Sequence, residues 1–149
     1  MLETFRPLID AARGLDFSDA AAAEAELNRR FDPGSPAAQA LTKELVALME
    51  AGKIAERGEL PVRYGRVSKA VPETLDHSID VVLMNGPGPL HRHPAGEADF
   101  CIALDGQPTF DGRPPGWVVY GPGSEHVPTV AGGTMLIVYL LPTGAIEFL

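Results

Sequence analysis

From Lys53 onward this chain runs in short apolar segments cut off by glycine or proline, and that rhythm limits what it can fold into. Its 16 glycines and 14 prolines are concentrated after residue 85, where they break any long helix and mark tight turns. The segments Ile54–Glu56, Val62–Val67, Ser78–Met84, Asp99–Leu104, Trp117–Tyr120, His126–Val130, Thr134–Leu140 and Ala145–Phe148 are expected as strands. Many short strands with no helices between them predict an antiparallel sandwich or barrel rather than a parallel sheet.

The first third follows a different period. Leu2, Phe5, Leu8, Ile9 and Ala12 recur at helical spacing, with Pro7 tolerable only near the first turn and Gly14 as a stop. A second helix is expected from Asp16 or Ser18 through the alanine-rich stretch to Phe31. Ser35-Pro36 opens a third, striped by Ala38, Leu41, Leu45, Leu48 and Met49 and ended by Gly52. Residues 1–52 thus read as a helical segment and 53–149 as a β-barrel, the helices covering one end of it or building a dimer contact. A homodimer is expected.

Composition narrows the partners. A net charge of −8 with no basic cluster argues against nucleic acid and anionic membranes. No apolar run approaches the roughly 18–20 residues that span a bilayer, and no export signal is evident at the start. One cysteine, Cys101, fits a reducing compartment, so a cytoplasmic location is expected.

Chemistry is concentrated in GPGPLHRHPAGEADFCIALDG and GWVVYGPGSEHVPTV. His91 and His93 are two apart, so on a strand both imidazoles leave the same face. Pro94 and Gly96 allow a turn, after which Glu97 can face the same way. His126 supplies a fourth ligand. Three imidazoles and a carboxylate suit one divalent transition metal (Fe, Mn, Ni, Co or Zn) without choosing among them. Asp99 and Cys101 share the parity of Glu97 and can face inward, and Tyr120 or Tyr139 could offer a phenol. Asp99 and Tyr120 join Glu97 as candidate catalytic residues. Arg92 points away from its histidine neighbours, which leaves Arg63 and Arg66 as candidate binders of a substrate carboxylate. Cys101, Trp117, Phe100 and Phe110 read as core, and His77 as a surface or supporting residue.

These two segments resemble the paired motifs of the cupin superfamily. Gly86 or Gly88, His91-Arg92-His93, Glu97 and Gly106 match the first, and Gly116, Pro122, Gly123 and His126 the second. Gly106 falls late, Val130 stands where asparagine is common, and the connection is short. The resemblance implies a mainly β, jelly-roll barrel (the double-stranded β-helix) behind an N-terminal helical segment. Further segments, among them RYGRVSK and the ending YLLPTGAIEFL, are similar to the bacterial 4-hydroxylaminobenzoate lyase family. Membership would imply a metal-dependent lyase that turns 4-hydroxylaminobenzoate, a small aromatic carboxylate, into 3,4-dihydroxybenzoate and ammonia. The same ligands would serve a dioxygenase or isomerase acting on a small carboxylate or phenol, or a non-catalytic binding barrel.

Overall fold

The computed structural model describes all 149 residues. Three helices lead: α1 (Leu2–Ala11), α2 (Ala20–Arg30) and α3 (Pro36–Glu50). In α1 the apolar stripe buries Phe5, Leu8 and Ile9. Pro7 lies in its second turn rather than the first, and the bond its missing N–H forfeits is at exposed Glu3, where water can replace it. The cap of α2 is Asp19, not Asp16 or Ser18; its Oδ1 accepts from the Ala22 amide at 3.1 Å. Asp16 instead closes a local turn by accepting from the Ser18 amide at 2.8 Å. Ser35 caps α3 as expected, accepting from the Ala38 amide at 3.1 Å with Pro36 behind it.

Nine strands follow: β1 (Arg57–Glu59), β2 (Val62–Ser68), β3 (His77–Met84), β4 (His91–His93), β5 (Glu97–Phe110), β6 (Gly116–Tyr120), β7 (Ser124–His126), β8 (Val130–Pro142) and β9 (Glu147–Phe148). They form a six-stranded sheet in the order β1-β2-β3-β8-β5-β6 and a three-stranded sheet in the order β7-β4-β9, with every pairing antiparallel. This is the mainly β jelly-roll expected, with the helical lead-in present.

Period-two alternation assigns the two faces of the large sheet. Ile79, Val81, Phe100, Leu136, Val138 and Leu140 look outward and share one buried cluster with the helices. Met84, Cys101, Phe110, Met135, Ile137 and Tyr139 look inward and form a second cluster. The helices therefore cover the outer face of the sheet rather than one end of the barrel. Complete burial of Leu27 and Leu45 in the shared cluster contributes about 1.5–3 kcal/mol each. Trp117, on the same face, donates from Nε1 to the Phe31 carbonyl at 3.0 Å. The outer edge, β6, is closed by α2: Glu24 Oε1 accepts the Val119 amide at 3.2 Å.

Three expected strands differ. Ile54–Glu56 is not one, because Ala55 takes a left-handed φ of 50° and Ile54 sinks into the helix-side core at 1% exposure. His126–Val130 is split. His126 ends β7 in the small sheet and Val130 opens β8 in the large one, and Pro128 between them has no amide to give a ladder. Of Ala145–Phe148 only Glu147 and Phe148 pair, against Arg92 and His91.

Candidate metal centre

Strand β4 presents His91 at 5% and His93 at 0% exposure on its inner face. Arg92 between them points out and ties the small sheet together, donating to Glu125 at 2.7 Å and Glu147 at 3.0 Å on the flanking strands. The chain then turns within three residues. Gly96 has φ +89°, and a Cβ there would lie 2.9 Å from the Tyr120 carbonyl oxygen, so the turn requires glycine. Glu97 opens β5 at 1% exposure. His126 is the cross-strand partner of His91.

Ligand atoms of His91, His93, Glu97 and His126 lie within 4.8 Å of one another. Glu97 Oε2 is 4.0 Å from His91 Nε2 and 3.8 Å from His126 Nε2, and closest to His93 Nε2. Each imidazole is aimed from behind. His91 Nδ1 donates to the Pro89 carbonyl at 3.1 Å, and His126 Nδ1 donates to Asp111 Oδ2 at 2.6 Å. His93 Nδ1 meets the Ser124 hydroxyl at 3.0 Å. The acceptors behind His91 and His126 place the proton of each neutral ring on Nδ1. Their Nε2 lone pairs then face each other at 3.1 Å. Burial lowers the His91 pKa and favours that neutral form. His93 Nε2 and Glu97 Oε2 are buried against each other with no further hydrogen-bond partner. Opposed lone pairs and a carboxylate oxygen with no further partner are costly unless a cation lies among them, so these four residues fit a divalent metal.

Asp111 carries much of this arrangement, and nothing in the motifs pointed to it. It sits just beyond β5 with φ +50°. Its carboxylate accepts hydrogen bonds from His126 Nδ1, the Tyr120 hydroxyl and the Thr129 amide, the last at 2.8 Å. Burial pushes its pKa up, but these hydrogen bonds outweigh burial and hold it below the usual range. In the sequence, Asp111-Gly112 after an apolar run signals only a turn.

A cavity of about 700 Å³ runs from His91 and Glu97 between the sheets. Arg66 lines it, but its guanidinium is engaged by Asp80 through two bonds of 2.9 and 3.1 Å. Arg63 is on the other face of β2, where it donates to the Ala55 carbonyl at 3.1 Å, and does not line the cavity. Asp99 faces inward beside Glu97, fully buried with neither carboxylate oxygen partnered, and burial followed by the Glu97 charge raises its pKa. Tyr120 does not line the cavity, because its phenol is turned to Asp111; Tyr139 does line it, with its hydroxyl 3.5 Å from Met84 Sδ. His77 is buried at 9%, its Nδ1 3.3 Å from the Thr74 carbonyl, apart from the metal group.

The sequence profile of the 4-hydroxylaminobenzoate lyase family matches residues 8–148. A 4-hydroxylaminobenzoate lyase of Pseudomonas putida is 28% identical over 140 residues, covering 82% of this chain and 80% of that protein. One from a Nocardioides species is 35% identical over 97 residues, 58% of this chain and 57% of that protein. Among solved structures, an RmlC-like cupin protein from Ralstonia eutropha superposes over 61% of each chain, with 14% identity and a TM-score of 0.46.

Proposed function

This chain belongs to the 4-hydroxylaminobenzoate lyase family, and we propose that it converts 4-hydroxylaminobenzoate, or a close hydroxylamino aromatic acid, to 3,4-dihydroxybenzoate and ammonia with one divalent metal. The observation that carries the metal requirement is the convergence of His91, His93, Glu97 and His126 on one point, with the Nε2 atoms of His91 and His126 opposed at 3.1 Å. A cation held by His91, His93, Glu97 and His126 would supply Lewis acidity for cleavage of the N–O bond.

The reaction balances as substrate plus one water giving diphenol plus ammonia. Breaking the N–O bond reduces nitrogen by two electrons and its oxygen leaves as water. A water oxygen added at the neighbouring ring carbon removes two electrons from the ring. A second water replaces nitrogen on its own carbon and releases ammonia, so two waters enter and one leaves. No external oxidant or nicotinamide is needed. The chain's own part is orientation. Apolar inner-face side chains such as Val82 and Met84 line the cavity with His91 and Glu97 and receive the ring. Asp99, next along the inner face from Glu97, is fully buried and does not line the cavity, so its part is to share a proton with the Glu97 carboxylate rather than with the substrate. Tyr120 acts by holding Asp111, and through it His126, rather than by proton transfer. Arg66 supports the cavity wall through Asp80.

Anaerobic incubation of metal-loaded protein with 4-hydroxylaminobenzoate tests this reading. Ammonia and diphenol should appear one to one, with both new ring oxygens drawn from labelled water. Chelation should abolish turnover and metal return should restore it. A strict need for dioxygen, with its oxygen incorporated, would assign the site to an oxygenase instead. A protein that takes up no metal would be a binding barrel.

A further inference from the structure

At the rim of the cavity, on the exposed edge strand β1, stands a charge that no side chain of the protein pairs. The charged lining of the cavity consists of Glu56, Arg57, Arg66, Asp80 and Glu97, beside His91. Glu97 belongs to the metal cage, and Arg66 and Asp80 cancel each other through their two bonds. Glu56 is turned away: its carboxylate lies directly over Gly65, where a Cβ would come within 2.4 Å of Oε2. Gly65 stands between Tyr64 and Arg66, so alternation directs that position to the opposite face of β2. Arg57 remains, exposed on β1 at the cavity rim and in none of the protein's ion pairs or side-chain hydrogen bonds.

The surroundings of Arg57 suit a flat anion. It is the cross-strand partner of Tyr64, which pairs in turn with Val82, so the three share the cavity face. Tyr64 lies across the hairpin on Gly58, where a Cβ would come within 3.2 Å of ring carbon Cε1. Tyr64 is 51% exposed although it lines a cavity, an aromatic face left without a protein partner.

We propose that Arg57 and Tyr64 form a carboxylate subsite, the guanidinium pairing with the carboxylate of an arenecarboxylate while the Tyr64 ring flanks its arene. This rests on the lyase reading for the identity of the substrate, and it accounts for the acid end while the hydroxylamino end meets the metal residues. A planar two-pronged guanidinium matches a carboxylate in a way that a lysine cannot.

The test compares 4-hydroxylaminobenzoate with its neutral carboxamide on metal-loaded wild type, Arg57→Gln and Arg57→Lys, together with equilibrium binding of 4-hydroxybenzoate, which has no N–O bond to break. Arg57→Gln should raise KM for the acid at least tenfold, with a smaller change in kcat, and leave the amide within threefold. It should weaken 4-hydroxybenzoate binding to a similar degree, and lysine should recover only part of the loss. Wild-type turnover with acid-over-amide preference intact in Arg57→Gln would overturn the subsite and leave the lyase reading standing. So would loss of that preference in Arg66→Gln instead. A wild type that neither turns over the acid nor binds 4-hydroxybenzoate would overturn both.

Discussion

At the scale of single residues, the centre depends on a side chain that touches no metal ligand atom. Asp111 binds the far nitrogen of His126, and its other contacts, to the Tyr120 hydroxyl and the Thr129 amide, fix its own carboxylate. Changing Asp111 to Asn keeps its size but removes the charge that fixes the His126 tautomer. Metal affinity should fall by roughly 10–100-fold, the usual penalty for losing an outer carboxylate behind a ligand histidine. Competition with a coloured chelator measures this without reference to turnover, and an affinity unchanged within twofold would show His126 to be held by its strand alone. His91, His93 and Glu97 were legible because each lies at a fixed offset from its neighbour on a strand. Asp111 was not, since its distance from His126 along the chain says nothing about their meeting in space.

Among elements, the turn joining β4 to β5 decides whether the site exists. Two histidines on the central strand of the small sheet and a glutamate opening β5 of the large one converge only because three residues reverse the chain. Gly96→Ala should destabilise the protein by about 1–3 kcal/mol through left-handed strain, with a further cost from the Tyr120 carbonyl 2.9 Å away. Gly112→Ala is the control: its φ of +77° imposes similar strain, but nothing lies within 4 Å of a Cβ there. Thermal unfolding should therefore show a larger loss of Tm for Gly96→Ala. Equal losses would mean that backbone strain, not crowding, is the whole penalty. The helices give the contrasting lesson. Their apolar stripes and the Ser35-Pro36 start were readable locally, yet the surface they cover was not, because a stripe names a buried face without naming what buries it.

For the molecule as a whole, two clusters separated by the large sheet give two interiors, one shared with the helices and one inside the barrel. Cys101 belongs to the second at 2% exposure, and burial followed by the neighbouring carboxylates raises its thiol pKa. It should therefore resist thiol reagents at pH 8 and react at the rate of global opening, rising with denaturant in step with unfolding. Rapid labelling of folded protein would show that the barrel opens locally. Sequence alone determined the class of fold, the helical lead-in and the His91, His93 and Glu97 cluster, because period two, glycine and proline punctuation and close spacing act over a few residues. His126 was joined to them by the resemblance of its motif, and its meeting with His91 is a matter of strand pairing. Only the tertiary structure decided that the helices lie on the outer face, that Arg66 is neutralised by Asp80, that Arg63 faces away and that Arg57 is left free. Those facts depend on which strands become neighbours and where a bend such as that at Ala55 falls. Pairing between β2 and β3, or between β4 and β7, is set by the packing of the whole barrel, which no local pattern encodes.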